Sequence, residues 1–396
     1  MTRATTEPVR VDVAAAIRDY ATLCRDELPA DVHVRSYAGL WLLLAVLGPV
    51  VSDATDRSEL EAALGMDVAS AAEAARRLMA EHREGLGTAT AGWLREGLEL
   101  LGPLPVRLDP LPTQSELDRW AREATHGLVP RFPVELVPDT VLLLASALSV
   151  RTEWHEPLDG TPDDRLRIGD DGTVAVVATR SAGLVAVAAP EGRGDLDVLS
   201  VIADPDVIQS RVWAATDEVT AWLLDGSLAA RRVPAAELER DGHAWTVKRT
   251  TWAMPSESTA TEVWQASVPA WTLESTTDLA NAPGIAATTR AVLDLVPQEP
   301  KWAEAVQSAN ATYGAKGFEA VAVTVLDFMA GSAAPPVRKV HVVHLTFDRP
   351  HAVLALTRGG AWDGVPVVHA WINGSSDPEL ARPGGIDWQP GGRGDR

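Results

Sequence analysis

Histidines and carboxylates are the residues of this sequence that could bind a metal ion or transfer a proton, but their spacing favours neither role. His341 and His344 stand in "HVVH", inside an apolar stretch that predicts a strand. Residues three apart on a strand point to opposite faces of the sheet, so we interpret both as ordinary strand histidines. "GDDG" at 169–172 lacks the ligand spacing of a calcium loop. These residues therefore predict neither a metal site nor a cofactor.

Motifs that mark common catalytic sites are also missing from the sequence. It contains no GxSxG elbow, no GxxxxGK[ST] loop, no HExxH helix and no GxGxxG after a predicted strand. Cys24 is the single cysteine, so an intramolecular disulfide is excluded. It lies in the helical pattern "IRDYATLCRDEL" and is interpreted as a buried, inert thiol. We expect a protein that is not an enzyme.

The charge balance restricts the partners. The 396 residues carry 55 acidic and 35 basic side chains, a formal net charge of −20. Such a surface repels phosphate backbones and anionic lipids, so we expect no nucleic-acid and no membrane partner. The first residues have no apolar run typical of a secretory signal, and the longest apolar run, "LWLLLAVLGPVV", is too short to span a bilayer. This predicts a cytoplasmic location.

The stretch "KGFEAVAVTVLDFMAGSAAPP", residues 316–336, has a different pattern from the rest of the chain. As a strand, residues 317–330 would place both of their charges, Glu319 and Asp327, on one face. The opposite face would be uncharged: Phe318, Ala320, Ala322, Thr324, Leu326, Phe328 and Ala330. The small residues and prolines that follow are cleavable. Two interpretations remain open, an ordinary strand with a loop, and a loop that is first exposed and later joins a sheet.

The elements that would position this stretch fall into two halves of the chain. Helical periodicity predicts helices in "VDVAAAIRDYATL", "AGLWLLLAVLG", "DRSELEAALGM" with a capped start at Asp56, "ASAAEAARRLMAEHREGL" and "SELDRWAREATHGLV". From about Asp139 onward, strand patterns predominate. This order predicts an α+β fold with large antiparallel sheets.

Three of the strand predictions are specific enough to be tested. "TVLLLASALSV" predicts a strand buried on both faces. "RLRIGDDGTVAVVATR" predicts a hairpin with Asp171 and Gly172 at its turn, and "SRVWAATD" predicts another strand. From Gly374 onward the composition predicts a disordered tail, residues 374–396, in which "RGD" is a chance tripeptide.

Several motifs, taken in order, resemble those of the serpin family. The pattern Gly-x-Glu-Ala-x-Ala of the serpin loop hinge is matched at Gly317, Glu319, Ala320 and Ala322. Further segments resemble family landmarks: "SYAGLWLLLAVLG", "LDRWAREATHGLVPRF", "TVLLLASALSVRTEW", "VPAWTLESTTDL" and "LTFDRPHAVLALTR". The resemblance covers roughly residues 12–373.

The resemblance implies a serpin-like domain, residues 1–373, with helices packed on large sheets and an exposed reactive-centre loop at about 315–338. It implies a monomeric, bacterial (actinobacterial-like) member, which by family analogy could act outside the cell. The implied gating residues at the sheet are Trp154, Ser146, Ser36 and Gly39. The implied hinge comprises Gly317, Phe318, Glu319, Ala320, Val321, Ala322, Val323 and Thr324.

The function implied by the resemblance is suicide inhibition of a serine or cysteine protease. The protease attacks the loop and forms an acyl-enzyme, and the cut loop inserts into the central sheet. Counting fifteen residues from Gly317, as the family spacing does, places the reactive bond at Gly331-Ser332. Because this segment is longer than is usual in the family, Met329, Ala330 and Arg338 stay open as bait residues.

Three departures from the family pattern bear on this function. Phe318 replaces a small hydroxyl residue, which would cost about 1–3 kcal/mol in a tight site or gain a similar amount in a pocket. Ala315 and Ala270 replace an acidic residue and its lysine partner. Ser146 and His351 replace the usual asparagine and phenylalanine. A non-inhibitory binding or carrier protein on the same fold is therefore the alternative.

Overall fold

The computed structural model describes residues 12–27, 31–125, 127, 129–169, 172–238, 243–253, 260–297, 303, 305–319 and 337–381. The α-helices of these residues are α1 Val13–Glu27, α2 Tyr37–Leu47, α3 Ala54–Leu64, α4 Val68–Ala80, α5 Gln114–Ala124, α6 Gln209–Leu224 and α7 Ile285–Leu293. Within the described part of the chain, no helix is long and apolar enough to cross a membrane.

The strands of the first half of the fold are β1 His33–Arg35, β2 Leu86–Leu94, β3 Leu108–Pro110, β4 Leu142–Val150, β5 Thr152–Glu153, β6 Asp159–Gly160, β7 Arg165–Ile168, β8 Thr173–Thr179 and β9 Gly183–Ala189. The remaining strands are β10 Leu196–Ile202, β11 Trp245–Ala253, β12 Glu262–Pro269, β13 Trp271–Asp278, β14 Val306–Gly314, β15 Gly317–Glu319, β16 Val337–Thr346, β17 His351–Thr357 and β18 Pro366–Ile372.

These strands form three layers of sheet. A six-stranded sheet has the order β1-β18-β17-β10-β9-β8, and a five-stranded sheet has the order β11-β16-β12-β7-β6. The third, which we call the central sheet, consists of β3-β2-β4 and of β13-β14-β15-β5. Only Arg151 separates β4 from β5, so the two parts share one continuous strand. The pairing is antiparallel except between β2 and β3 and between β12 and β16. The predicted α+β class is confirmed.

Helix α2 lies in the middle of the main core because its sequence has almost no polar residue. Trp41 and Leu44 are fully buried on it, and the indole of Trp41 donates a hydrogen bond to the Leu64 carbonyl. A helix that is apolar on all sides must be covered on all sides. The six-stranded sheet, α1 and α4 cover it on one side, and the central sheet covers it on the other.

Helix α5 packs on the opposite face of the central sheet. Its Leu117 and Ala121 contact Trp93 of β2 and Ala145 of β4 in a small separate core. Trp120 meets the edge of Trp93 at 5.3 Å between ring centroids. The sheet is therefore enclosed between α2 and α5, an arrangement that decides which faces of β4 are buried.

Four details of the sequence prediction are wrong. The strand β4 is only half-buried over most of its length, because one of its edges borders a cavity. Strands β7 and β8 belong to different sheets, so "RLRIGDDGTVAVVATR" is not a hairpin; β8 pairs with β9 instead. "SRVWAATD" lies in helix α6, whose buried Val212, Ala215 and Val219 recur with helical spacing over a window longer than eight residues. Asp53, and not Asp56, caps α3.

The structure also describes the first residues beyond the predicted domain boundary at residue 373. Residues 374–381 pack on the folded part, and Ala381 is 2% exposed. Residues 382–396 lie outside the described residues.

Candidate functional site: the gap in the central sheet

The segment predicted to be the hinge, residues 317–324, begins as a short strand at the top of the central sheet. Strand β15 lies between β14 and β5 and is antiparallel to both. Phe318 is opposite Tyr313 on one side and Thr152 on the other. A Cβ atom on Gly317 would come within 2.3 Å of the Thr152 carbonyl oxygen, so only glycine fits between the two strands. The first residues of the hinge thus already occupy the position of an additional strand.

Phe318 fills a pocket between aromatic side chains. It is 1% exposed, and its ring centroid lies 6.2 Å from those of Trp271 and Tyr313, in edge-to-face geometry. Such pairs stabilise beyond the area that they bury. Burial raises the pKa of Tyr313 well above its ordinary value, so the cluster is uncharged at neutral pH. The sequence left open whether Phe318 would be crowded in a tight site or accepted by a pocket. The structure provides a pocket.

Trp154 anchors the turn between β14 and β15. Its indole donates to the Gly314 carbonyl at 2.9 Å, and its backbone N–H donates to the Lys316 carbonyl at 2.9 Å. The ring lies 5.3 Å from Tyr313 and is 2% exposed. We call Trp154, Trp271, Tyr313 and Phe318 the aromatic box. Because the box combines two separate stretches of sequence, 152–154 and 313–318, with the start of β13, it joins both sides of the sheet.

Below the aromatic box, β4 and β14 face each other across a gap in the described part of the central sheet. Among the described residues, β4 pairs only with β2, and β14 pairs with β13 and, at Thr312–Gly314, with β15. A cavity of about 340 Å³ separates β4 and β14 and is also lined by α2, α5 and α7. Neither facing strand contains a charged residue. In the described part of the chain, neither facing edge belongs to a second ladder below β15, and two such strand edges form a template for one more strand.

Three polar side chains hold the middle of this gap against the N-terminus of α2. Ser36 caps the helix, with its Oγ accepting from the Gly39 N–H at 3.2 Å. Ser146 of β4 donates its Oγ–H to the Gly39 carbonyl at 3.2 Å. Gln307 of β14 accepts from the Ser36 N–H at 3.0 Å and donates to the Ser36 carbonyl at 2.9 Å. Both edges of the gap are thus bound to one helix end, and we call this group the polar latch.

The polar latch contains one residue that the sequence analysis missed. Of the four gating residues that the resemblance implies, the structure brings Ser36, Gly39 and Ser146 together, whereas Trp154 lies in the aromatic box. Gln307 was not singled out, because its partner is the backbone of residue 36, and nothing in the local pattern "AVQSANATY" signals that contact.

Comparison with solved structures identifies proteins with a similar architecture. Human thyroxine-binding globulin complexed with thyroxine matches with a TM-score of 0.61 at 14% identity, covering 92% of this chain and 99% of that one. The thermophilic serpin Tengpin in its native state matches with a TM-score of 0.60 at 11% identity over 94% of this chain and 96% of its own. The protein has the serpin fold. Serpin48 of the insect Tenebrio molitor gives a TM-score of 0.59 at 12% identity, covering 93% of this chain and 99% of its own. No family model and no curated protein matches the sequence.

Much of the predicted loop falls on residues that the structure leaves undescribed. In the serpin fold these would be the rest of the hinge and the reactive bond: Ala320, Val321, Ala322, Val323, Thr324, Gly331 and Ser332. The alternative bait residues Met329 and Ala330 lie there as well, whereas Arg338 belongs to strand β16.

The remaining candidate residues take ordinary structural positions. His341 and His344 lie on β16, and His344 Nε2 is 3.0 Å from Ser267 Oγ. No group of three or more metal-binding side chains occurs in the described ranges. Cys24 is fully buried on α1, and burial raises the pKa of its thiol to about 12.

His351 occupies a fully buried position at the start of β17. Its ring meets the edge of Phe347 at 5.2 Å, and its Nδ1 lies 2.8 Å from the Arg349 carbonyl. Burial lowers the pKa of His351 to about 4, so the ring is neutral at pH 7 and Nδ1 carries the proton. The histidine thus serves as an aromatic core residue where the family has phenylalanine.

Proposed function

We propose that this protein is a serpin-type inhibitor that traps a serine or cysteine endopeptidase by inserting its cleaved loop between β4 and β14. The observation that carries the proposal is strand β15, which is already paired between β14 and β5 above an open gap. The chain itself needs no catalytic residue, because the protease supplies the chemistry.

The register of β15 predicts how the strand would continue. Its pairs are antiparallel, so each later loop residue would face one residue earlier in both flanking strands. Continued without a bulge, this places Thr324 opposite Ser146 of β4 and Gln307 of β14. The uncharged face of the loop, which includes Ala320 and Ala322, would then point to α2, as Ser146 does. Small side chains there fit a gap without charges.

The covalent step follows from the bait bond. The protease nucleophile attacks the carbonyl of Gly331, the bond to Ser332 breaks, and the amine of Ser332 takes up the proton. The acyl bond then joins the protease to the loop that inserts. A Gly or Ala bait indicates an elastase- or subtilisin-like target, and Arg338 a trypsin-like one. A bacterial source, a monomeric state and a cytoplasmic location belong to the proposal and rest on the sequence alone.

The test is incubation with an elastase, a subtilisin, a trypsin and a papain-like protease. We expect a complex that survives SDS with at least one of them, and a cleaved protein that melts far above the intact one. Peptide sequencing of the C-terminal fragment then identifies the bait residue. Cleavage that produces neither a complex nor a rise in Tm would exclude inhibition by insertion.

A matched pair of loop variants sharpens this test. Thr324→Arg puts a charge between Ser146 and Gln307 in the inserted state, where burial without a partner is costly. We expect that variant to be cleaved without forming a complex. Val323→Arg carries the same charge on the opposite face and should keep the complex. Equal behaviour of the two variants contradicts the proposed register.

A second candidate function, that of a carrier, is favoured by a separate cavity of about 360 Å³ between α1, α6 and β1. The His33 side chain lines it, is 3% exposed, and has no hydrogen-bond partner at Nε2 among the described residues. Arg25 also lines it, stacks on Trp213 at 5.2 Å and pairs with Asp217. Aromatic rings beside guanidinium groups suit an aromatic carboxylate, and the structurally similar human thyroxine-binding globulin was solved in complex with thyroxine.

Titration with thyroxine, followed by tryptophan fluorescence, tests the carrier function. Saturable quenching that is lost in Trp213→Leu but kept in Trp120→Leu would support it. Quenching that is the same in both variants, or no quenching at all, would exclude this cavity as the site.

A further inference from the structure

Residues 374–381 run from the end of β18 across the top of the central sheet. We call them the strap. The chain turns into the strap at Gly374, where φ is +83° and a Cβ atom would lie 2.4 Å from the Arg349 backbone nitrogen. Only glycine satisfies both conditions, so the direction of the strap is fixed at its first residue.

Hydrogen bonds tie the strap to the residues that precede two strands. The Ala270 N–H donates to Ser376 Oγ at 2.9 Å, and the Asp377 N–H donates to the Ala270 carbonyl at 2.7 Å. The Ala315 N–H donates to the Leu380 carbonyl at 3.2 Å. Ala270 immediately precedes β13, and Ala315 lies in the turn before β15. These are the two positions at which the serpin resemblance leads us to expect a charge pair.

The strap also reaches the other side of the gap, through the segment that follows β5. The Ser376 hydroxyl donates to the Asp164 carbonyl, and Arg165 donates to the Gly374 carbonyl at 2.9 Å. The Ala381 carbonyl lies so close to Gly160 that a Cβ there would be 2.8 Å from it. The strap therefore connects the segment that contains β5, β6 and β7 to the segment that contains β13 and β14.

The strap is ordered by its own contacts as well. Asp377 accepts from the Glu379 N–H through Oδ1 at 2.9 Å, and its carbonyl accepts from the Ala381 N–H at 3.2 Å. Leu380 packs against the main core, and Ala381 is 2% exposed. A segment that forms a turn of its own and buries its end loses little entropy when it binds.

We propose that the strap is a conformational clamp, which keeps the top of the central sheet closed and thereby slows the separation of β5 from β14. The clamp replaces a charge pair by hydrogen bonds that join no two opposite charges, so its strength should depend little on ionic strength. Its effect on the closed sheet is independent of the proposed inhibition. Its effect on the rate of loop insertion rests on the proposed function.

Two truncations test the clamp in the otherwise complete chain. One ends at Ala381 and keeps the strap; the other ends at Gly374 and removes all of the strap except its first residue. We expect the chain ending at Ala381 to match the full-length protein. The chain ending at Gly374 should melt roughly 5 °C lower, because several hydrogen bonds and a buried end are lost. In that chain, amide exchange at Ala315 and over residues 316–319 should be about tenfold faster.

A substitution covers the case in which the shorter chain fails to fold. Ser376→Ala removes the acceptor of the Ala270 N–H and the donor to Asp164, whereas Ser375→Ala changes a neighbouring exposed serine. We expect faster exchange at Ala270 and Ala315 in the first variant only. Equal exchange in Ser376→Ala, Ser375→Ala and the unchanged protein overturns the clamp.

The outcomes for the clamp and for inhibition can be told apart. If loss of the strap accelerates exchange, but loop cleavage raises Tm in no variant, the clamp stands and insertion fails. If cleavage raises Tm equally and exchange is the same with and without the strap, insertion stands and the clamp fails.

Discussion

The top and the middle of the gap in the central sheet are held by different forces. At the top, the aromatic box packs Phe318 between Trp154, Trp271 and Tyr313, and β15 already joins the two sides. In the middle, β4 and β14 share no ladder in the described part of the chain, and each is bound to α2 by the polar latch. Apolar burial resists opening over a wide area, whereas a few hydrogen bonds are easily exchanged for others.

This difference gives the gap a direction. An additional strand would grow downward from the box, where pairing has begun, into a middle that costs little to rearrange. The serpin fold of this protein therefore combines a firm starting point with a permissive path.

The largest expected effect comes from breaking the top with Phe318→Ala. The truncation leaves a cavity in the aromatic box, and we expect a loss of about 3–5 kcal/mol in the free energy of unfolding. Urea denaturation of the intact protein measures it. Phe328→Ala removes the same ring farther along the loop and should destabilise only the cleaved, inserted form. If Phe318→Ala costs under about 1 kcal/mol, the box does not hold the top.

The pH dependence of stability provides a reference outside the gap, because His351 does not contact the gap. Its pKa is about 4 when folded, below the ordinary value of 6.5, so the unfolded chain binds more protons between these values. The free energy of unfolding should be constant well above pH 6.5 and should fall by about 3 kcal/mol as the pH is lowered toward 4. His33, also lowered to about 4, adds to this loss.

Denaturant titrations at pH 7, 5.5 and 4.5, on intact and cleaved protein, measure the acid effect. Both forms should lose the same amount, because neither histidine contacts the gap. His351→Phe should flatten the acid branch of the curve. An unchanged acid branch in that variant rules His351 out as its source.

Gln307→Ala breaks the middle and should have an intermediate effect. It removes two hydrogen bonds to the Ser36 backbone, worth about 1–3 kcal/mol together when their buried partners stay unsatisfied. Insertion of the uncleaved loop, which would give a more heat-stable form, should accelerate. Melting curves recorded after incubation would reveal that form. Thr312→Ala, on the same strand as Gln307, loses only an exposed hydrogen bond to Thr272 of β13 and is the control. The latch has no gating role if both variants convert equally fast.

Ser146→Ala should have the smallest effect. Its bond to the Gly39 carbonyl is long, at 3.2 Å, and a neutral hydrogen bond contributes about 0.5–1.5 kcal/mol. We expect a slightly lower unfolding midpoint and faster amide exchange in β4. A loss as large as that of Gln307→Ala would mean that β4, and not β14, carries the latch.

The sequence predicted the class of the fold and most of its elements because long periodic patterns leave little choice. The pattern of α2 demands burial on all sides, and the pattern of β16 demands a strand. Short patterns failed where their meaning depends on distant partners. The eight residues 210–217 suited a strand locally, but the six-stranded sheet selects the helical face of Trp213 and Val219.

By itself, the sequence determined the chemistry of the site: a hinge glycine, an uncharged face in residues 318–330 and uncharged strands to receive it. Only the tertiary structure decided whether Phe318 obstructs or anchors, because its pocket is built from Trp271 and Tyr313. It alone brought Gln307 to Ser36 and showed that residues 374–381 of the predicted tail form a strap. Local patterns encode which residues are buried, whereas contacts between distant segments exist only once the sheets have assembled.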